Sequence, residues 1–120
     1  MLMWKHTLQP VIKLTKHLRE NKQKRLEMRF YLNGLEEASH YGIIKQVLQD
    51  NFGVKIITEF FGIWFFRAEI QRDEDKFVLY WDEDLGNFLV SLEQSDDKNE
   101  RLEQLIKQAI PLIERHFGTQ

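Results

Sequence analysis

The sequence predicts an α+β fold: an antiparallel meander of four to five strands with flanking helices. Four segments with apolar residues typical of strands follow one another between residues 54 and 93, and the connections between them are too short for crossovers. Segments with helical spacing of apolar residues stand before and after this run. The predicted order is α-β-α-β-β-β-β-α, in a single α+β domain that spans residues 1–120.

The first helix is predicted over residues 7–19. Thr7 is in a suitable N-cap position, and Pro10 falls in the first turn, where its missing N–H does little harm. Residues 20–25 read as a polar turn. Residues 26–32 alternate apolar and polar side chains and predict a strand, with a continuation of the first helix as the alternative. The apolar and β-branched positions that support the helix are Leu8, Val11, Ile12, Thr15 and Leu18.

A second helix is predicted after Asn33, which is expected to be its N-cap, with Glu36 in the capping-box position. Gly53 is a suitable C-terminal stop. The expected buried stripe consists of Leu35, Ala38, Tyr41, Ile44, Val47 and Leu48.

The meander is predicted as strands over residues 54–60, 63–71, 76–81 and 88–93. A last helix is expected to start at Asp97, with Glu100 at capping-box spacing, and to end at Gly118. Pro111 lies inside this helix and is expected to kink it. Its apolar face is predicted as Leu102, Leu105, Ile106, Ala109, Leu112, Ile113 and Phe117.

The predicted strands are apolar on both sides over part of their length. In the first meander strand, Val54, Ile56 and Phe60 are expected on one side, opposite Ile57 and Phe61. An antiparallel sheet with one solvated face shows cleaner alternation, so either helices cover both faces or one face is a contact surface. In the second case the exposed aromatic patch would contain Phe61, Trp64, Phe66, Tyr80 and Trp81.

Charge is unevenly distributed along the chain. Residues 1–33 contain eight Lys and Arg against two Glu, whereas the remaining residues are acidic, and the net charge is −2. This asymmetry predicts two faces with different electrostatic partners, or a basic end packed on its own acidic body. Two acidic runs, residues 73–75 and 82–84, fall in predicted turns, where they would attract a basic partner or serve solubility.

The sequence contains no constellation that predicts catalysis, a metal site or a cofactor. Without cysteine there is no thiol nucleophile, disulfide or thiolate metal site. The four histidines lack metal-ligand spacing, and His40 is expected to pair with Glu36 or Glu37 in a surface salt bridge. The turn after Asp82 departs from a calcium-binding loop, because Gly86 stands where an oxygen ligand is needed. We therefore expect a protein that is not an enzyme.

The segment from Phe77 to Phe88, an aromatic strand followed by an acidic turn and another strand, resembles small immunity proteins of bacterial polymorphic-toxin and contact-dependent growth inhibition systems. Together with the capped last helix, the resemblance covers about residues 54–117 and rests on organisation. It implies a cytoplasmic protein that binds a cognate toxin domain and covers its active site. The start of the sequence lacks the apolar run of a secretory signal, and no stretch is long and apolar enough to span a membrane, which agrees with that location.

The leading hypothesis is therefore an inhibitor that binds another protein, such as a basic toxin domain. It is not expected to bind a membrane. The alternatives are a small secretion chaperone or adaptor, usually a homodimer, and a nucleic-acid-binding protein that uses the basic segment before residue 30. The expected partner-binding residues are Trp64, Phe66, Tyr80, Trp81, Asp73, Glu74, Asp75, Asp82, Glu83 and Asp84.

Overall fold

The computed structural model describes residues 11–118 and has an α+β fold, in which six antiparallel strands form one sheet with two helices. The predicted fold class is therefore confirmed, but the strand number and the order of elements were wrong. The described elements are β1 (Lys13–Glu20), β2 (Leu26–Asn33), α1 (Ala38–Phe52), β3 (Lys55–Phe61), β4 (Phe65–Arg72), β5 (Asp75–Asp82), β6 (Gly86–Ser91) and α2 (Asp96–Gly118).

The predicted first helix is a strand. β1 pairs with β2 along its whole length, from Lys13 opposite Asn33 to Glu20 opposite Leu26. Leu14 and Leu18 are four positions apart, a spacing that places them on one side of a strand as well as on one side of a helix. Both the strand period and the helix period therefore fit the sequence, and the pairing of β1 with β2 decides in favour of the strand. The proposed Thr7 cap and Pro10 lie outside the described residues.

The turn at residues 21–25 and the strand that follows it are confirmed. The Asn21 side chain organises this turn, since its Oδ1 accepts the backbone N–H groups of Gln23 and Arg25 at 2.9 and 3.0 Å. The β1–β2 hairpin extends beyond the rest of the sheet, because β2 pairs with β6 only from Arg29 to Tyr31. Its turn therefore projects from one corner of the sheet.

Helix α1 begins later than predicted. Its N-cap is Glu37 rather than Asn33, whose side chain instead donates to the Thr15 hydroxyl at 2.7 Å. Gly34 explains the delay: its φ is +102°, and a Cβ there would lie 2.2 Å from the carbonyl oxygen of Val11. The chain turns at this glycine before the helix can start. Gly53 ends α1 in the left-handed conformation, as expected.

Helix α2 also starts with a different cap. It begins at Asp96, and the Ser95 hydroxyl accepts the backbone N–H of Lys98 at 3.2 Å, the role that had been expected of Asp97. The helix continues through Pro111 to Gly118.

The strand order in the sheet is β1-β2-β6-β5-β4-β3. The meander β3 to β6 is confirmed by its short antiparallel connections, and β6 joins it to the first hairpin. β1 and β3 are consequently the two edges of the sheet.

Both described helices pack on the same face of the sheet. The main core combines the buried stripes of α1 and α2 with inward residues of the strands, among them Phe30, Ala68, Ile70, Leu79 and Leu89. Asn87 lies within this layer, and its side-chain amide donates to the carbonyls of Leu35 and Glu37 at 2.7 and 3.1 Å. These two bonds attach the β2–α1 connection to the sheet.

The other face carries a smaller apolar cluster formed by Tyr31, Phe88 and Val90, with Tyr80 packed against it. The Tyr80 and Phe88 rings stack at 5.0 Å, and the Arg29 guanidinium lies 5.2 Å from the Phe88 ring. This second cluster explains why the strands read as apolar on both sides.

A β-bulge at Ile57 changes the predicted sides of β3. The register shifts between Ile56, which pairs with Ile70, and Thr58, which pairs with Glu69. Directly opposite residues share a face, so Ile56 and Phe61 lie on the helix-covered face while Phe60 lies on the other. The expectation that Ile56 and Phe60 share a side was therefore wrong, because strict alternation does not survive the inserted residue.

Candidate protein-binding surface

The β3–β4 hairpin ends in a cluster of large apolar side chains, residues 60–65, which we call the hairpin tip. Ile63 is 81% exposed, Trp64 64%, Phe61 60% and Phe60 53%, and Phe65 is also exposed. Gly62 closes the turn, with its N–H donating to the Phe65 carbonyl at 2.8 Å. Exposed apolar residues this concentrated usually mark a contact surface.

The hairpin tip rests on an aromatic stack that continues into the core. The Phe61 and Phe66 rings are 5.2 Å apart, and those of Phe66 and Trp81 are 4.7 Å apart. The buried Tyr41 contacts Phe66 at 5.2 Å, and the Trp81 indole N–H donates to the Glu36 carbonyl at 2.9 Å. The Phe61 ring and the backbone of the tip are thus fixed to the sheet before any partner arrives.

The acidic turn, residues 82–84, lies directly beside the hairpin tip. The backbone N–H of Glu83 donates to the Trp64 carbonyl at 3.0 Å, and Phe65 pairs with Asp82. The Asp82 carboxylate accepts the N–H groups of Asp84 and Leu85 at 2.8 and 3.1 Å, which fixes the turn. None of the three acidic residues forms a salt bridge with another residue in the range 11–118. Their charge is therefore available to a partner.

The other predicted acidic run lies at the opposite end of β5. Asp75 starts this strand and Asp82 ends it, so the two runs are about 23 Å apart at the usual rise per residue. Asp75 is engaged internally: Arg101 donates to its carboxylate at 2.7 and 2.9 Å, and Lys98 at 2.8 Å. Hydrogen bonds from Arg101 and then from Lys98 hold the pKa of Asp75 well below its ordinary value.

The predicted partner-binding residues therefore divide into separate groups. Trp64 joins Asp82, Glu83 and Asp84 at one corner of the sheet, whereas Asp73, Glu74 and Asp75 are at the far end. Phe66 and Trp81 are half-buried beneath the tip on the helix-covered face. Tyr80 lies on the other face, where its hydroxyl accepts the Arg67 Nε–H at 3.3 Å.

Four exposed apolar residues of this corner were absent from both the predicted aromatic patch and the predicted partner-binding set: Phe60, Ile63, Phe65 and Leu85. A signal for the first three was present in the sequence. The uninterrupted apolar run over residues 60–66 contains a single glycine, and a turn at that glycine places its neighbours at the end of a hairpin.

A polar cluster lies at the outer edge of the sheet, next to the hairpin tip. Glu59 on β3 accepts the Tyr41 hydroxyl at 2.8 Å and forms a salt bridge with Lys45 of α1. Lys45 Nζ also lies 5.4 Å from the Phe61 ring centre. Burial, together with the neighbouring Glu59 carboxylate, raises the pKa of Tyr41. The charge of Glu59 is therefore neutralised by Lys45, whereas the carboxylates of the acidic turn form no salt bridge with the described residues.

A groove of about 460 Å³ lies between the β4–β5 turn and the start of α2. Its charged side chains include Lys98 and Arg101, both of which form salt bridges with Asp75. Within residues 11–118, no three His, Asp or Glu side chains are grouped to hold a metal ion. His40, the one histidine predicted near carboxylates, accepts the Glu37 backbone N–H at 3.2 Å and has its Nε2 3.6 Å from the Glu37 carboxylate.

No helix in the described part of the chain is long and apolar enough to cross a membrane. Comparisons with protein-family models, curated proteins and solved structures gave no match for this chain. The interpretation of the surface therefore depends on its own geometry and chemistry.

Proposed function

We propose that this protein is a non-enzymatic binding module whose partner is another protein with an apolar pocket bordered by Lys and Arg side chains. The observation that carries the proposal is the contact between the hairpin tip and the acidic turn. An exposed indole and an exposed isoleucine stand beside three carboxylates without salt bridges in the described chain.

The composition of this corner agrees with what binding requires. Trp side chains dominate the binding energy of many interfaces, particularly where surrounding residues exclude water from them. Carboxylates at the border of such a contact increase the association rate with a basic partner and select against acidic ones. A tip whose backbone is hydrogen-bonded and whose Phe61 ring already stacks on Phe66 loses little backbone conformational entropy on binding.

We further propose that binding inhibits the partner, in the manner of an immunity protein. A toxin domain that acts on nucleic acid needs a basic groove for phosphates. Carboxylates of the acidic turn would occupy such a groove in place of phosphates, while Ile63 and Trp64 enter an adjoining apolar pocket. The resemblance of residues 54–117 to immunity proteins and the chemistry of this corner both support the proposal.

The direct test uses the product of the gene next to the one for this protein, purified as a separate domain, and measures its affinity by calorimetry and its toxicity in cells. We expect a one-to-one complex that suppresses toxicity. Trp64→Ala should weaken binding at least tenfold. Glu83→Lys should slow association and weaken its dependence on salt.

Glu74→Lys is the matched control, because it makes the same charge change in an exposed turn at the other end of β5. It should leave binding within twofold of the wild type. Equal effects of Glu83→Lys and Glu74→Lys would show that only net charge matters. Unchanged affinity in Trp64→Ala would contradict the proposed surface.

A further inference from the structure

The two edges of the sheet differ in how they are protected against pairing with another chain. β1 carries Lys13, Lys16, Arg19 and Glu20, and charged side chains on an edge discourage strand addition. β3 carries only Lys55, at its first position, and Glu59, which Lys45 neutralises. The chain therefore protects one edge with charge and leaves the other almost without free charge.

The apolar residues of β3 are also exposed. Ile57, Phe60 and Phe61 all have at least 40% of their surface in solvent. The bulge at Ile57 disturbs pairing in the first half of the strand, whereas residues 58–61 pair regularly with β4 on their inner side. The outer side of this second half presents unpaired backbone groups flanked by aromatic side chains, which is the arrangement that accepts an additional strand.

We infer that the β3 edges of two copies of this chain pair in antiparallel orientation around a twofold axis at Phe60. In this register each Phe60 lies opposite Phe60 of the second copy, on the face opposite the two described helices. Each Phe61 lies opposite Glu59 of the second copy, on the helix-covered face. Directly opposite residues then share a face, as an antiparallel pair requires.

The charges around β3 favour this orientation and this occupant. Lys55, which forms no salt bridge with the described residues, begins the strand, and the acidic turn lies toward the strand's other end, so antiparallel copies place each Lys55 at the same end of the contact as the acidic turn of the second copy. A parallel arrangement would bring like charges together. Each Phe61 would also meet the Lys45 ammonium of the second copy, which already lies close to a Phe61 ring within one chain.

This contact closes on itself, since a twofold axis pairs the two β3 edges with each other and leaves only the charged β1 edges at the ends of the joined sheet. It joins two six-stranded sheets into one. It includes Phe60 and Phe61 of the hairpin tip but neither Ile63 nor Trp64, so it is a second interface that adjoins the proposed partner contact and does not depend on that proposal.

The first experiment exploits the absence of cysteine from the sequence. Opposite residues of an antiparallel pair have Cβ atoms about 5 Å apart, within reach of a disulfide after small adjustment. Under mild oxidation Phe60→Cys should therefore form a disulfide dimer at least tenfold faster than Ile63→Cys, which replaces an even more exposed residue outside the contact. Equal rates in the two variants would overturn the inference.

The second experiment measures oligomeric state by sedimentation velocity over a concentration series. The wild type and Ile63→Lys should both sediment as dimers. Phe60→Lys should sediment as a monomer, and its circular dichroism spectrum should show that it is folded. A wild type that stays monomeric throughout the series, or a dimer lost in Ile63→Lys and kept in Phe60→Lys, would overturn the inference. Partner affinity is a separate readout. In a chain that carries Phe60→Lys and no longer forms the dimer, Trp64→Ala should still weaken partner binding.

Discussion

At the end of the sheet farthest from the hairpin tip, Asp75 connects β5 to α2 through Arg101 and Lys98. Its carboxylate is about a quarter exposed, so solvent weakens these charge interactions without removing them. The pKa of Asp75 is lowered in the folded state, chiefly by the hydrogen bonds from Arg101. The stabilisation is therefore present above the ordinary pKa of Asp, about 3.9, and is lost as pH falls through the folded-state pKa.

Asp75→Asn should reduce the free energy of unfolding by about 1 kcal/mol at neutral pH, because it removes the charge that Arg101 and Lys98 share. The difference from the wild type should shrink as the pH is lowered below about 4. Urea titrations at neutral and acidic pH measure both effects. Asp84→Asn, in a turn without salt bridges to described residues, serves as the control and should behave like the wild type. An undiminished difference at low pH would contradict this account of Asp75.

Among the elements, the meander and both helices were predictable, whereas the first strand was not. The short connections of the meander permit only hairpins, and the apolar stripe of α2 repeats over enough turns to exclude a strand. In the first element Leu14 and Leu18 fit both periods, and the deciding contact with β2 is not local. The bulge at Ile57 was equally invisible, since it depends on how β3 meets β4.

Pro111 provides a prediction at this scale, because it occupies an interior position of α2 and its side chain is exposed. A proline there cannot donate a backbone hydrogen bond to the preceding turn. Pro111→Ala should therefore increase the free energy of unfolding by about 1 kcal/mol or more, measured by urea denaturation. Gln108→Ala, also exposed on α2, should change it by less than about 0.5 kcal/mol. A decrease in Pro111→Ala would mean that the buried Ile113 packs correctly only on a helix bent by the proline.

At the scale of the whole molecule, the charge asymmetry of the sequence becomes a separation in space. The β1–β2 turn with Lys22, Lys24 and Arg25 projects at one corner, and the hairpin tip with the acidic turn lies at the diagonally opposite corner. The sequence predicted two electrostatic regions but could not place them, because their positions follow from the pairing of β2 with β6. The sequence analysis also assigned both acidic runs to one binding surface, whereas they lie at opposite ends of β5.

Exposure of the hairpin tip predicts how the whole molecule behaves toward apolar probes. Replacing Ile63 and Trp64 together by Ser should markedly decrease binding of a fluorescent hydrophobic dye and raise solubility. The free energy of unfolding should change by less than about 0.5 kcal/mol, because neither side chain is buried. Val11→Ser, which removes another highly exposed apolar residue away from the tip, is the control. A large loss of stability in the double variant would show that the tip is packed in solution.

The position of β6 between β2 and β5 has a consequence for biosynthesis. During translation the β1–β2 hairpin leaves the ribosome before the other described strands, yet its neighbour in the sheet, β6, is the last of those strands to be made. A two-stranded hairpin is marginally stable alone, so this hairpin is not stably folded while α1 and the next three strands are synthesised. Nascent chains that stop before Gly86 lack the strand that unites the two parts of the sheet. We infer that maturation is completed by a late, long-range docking step and not by growth from the amino terminus.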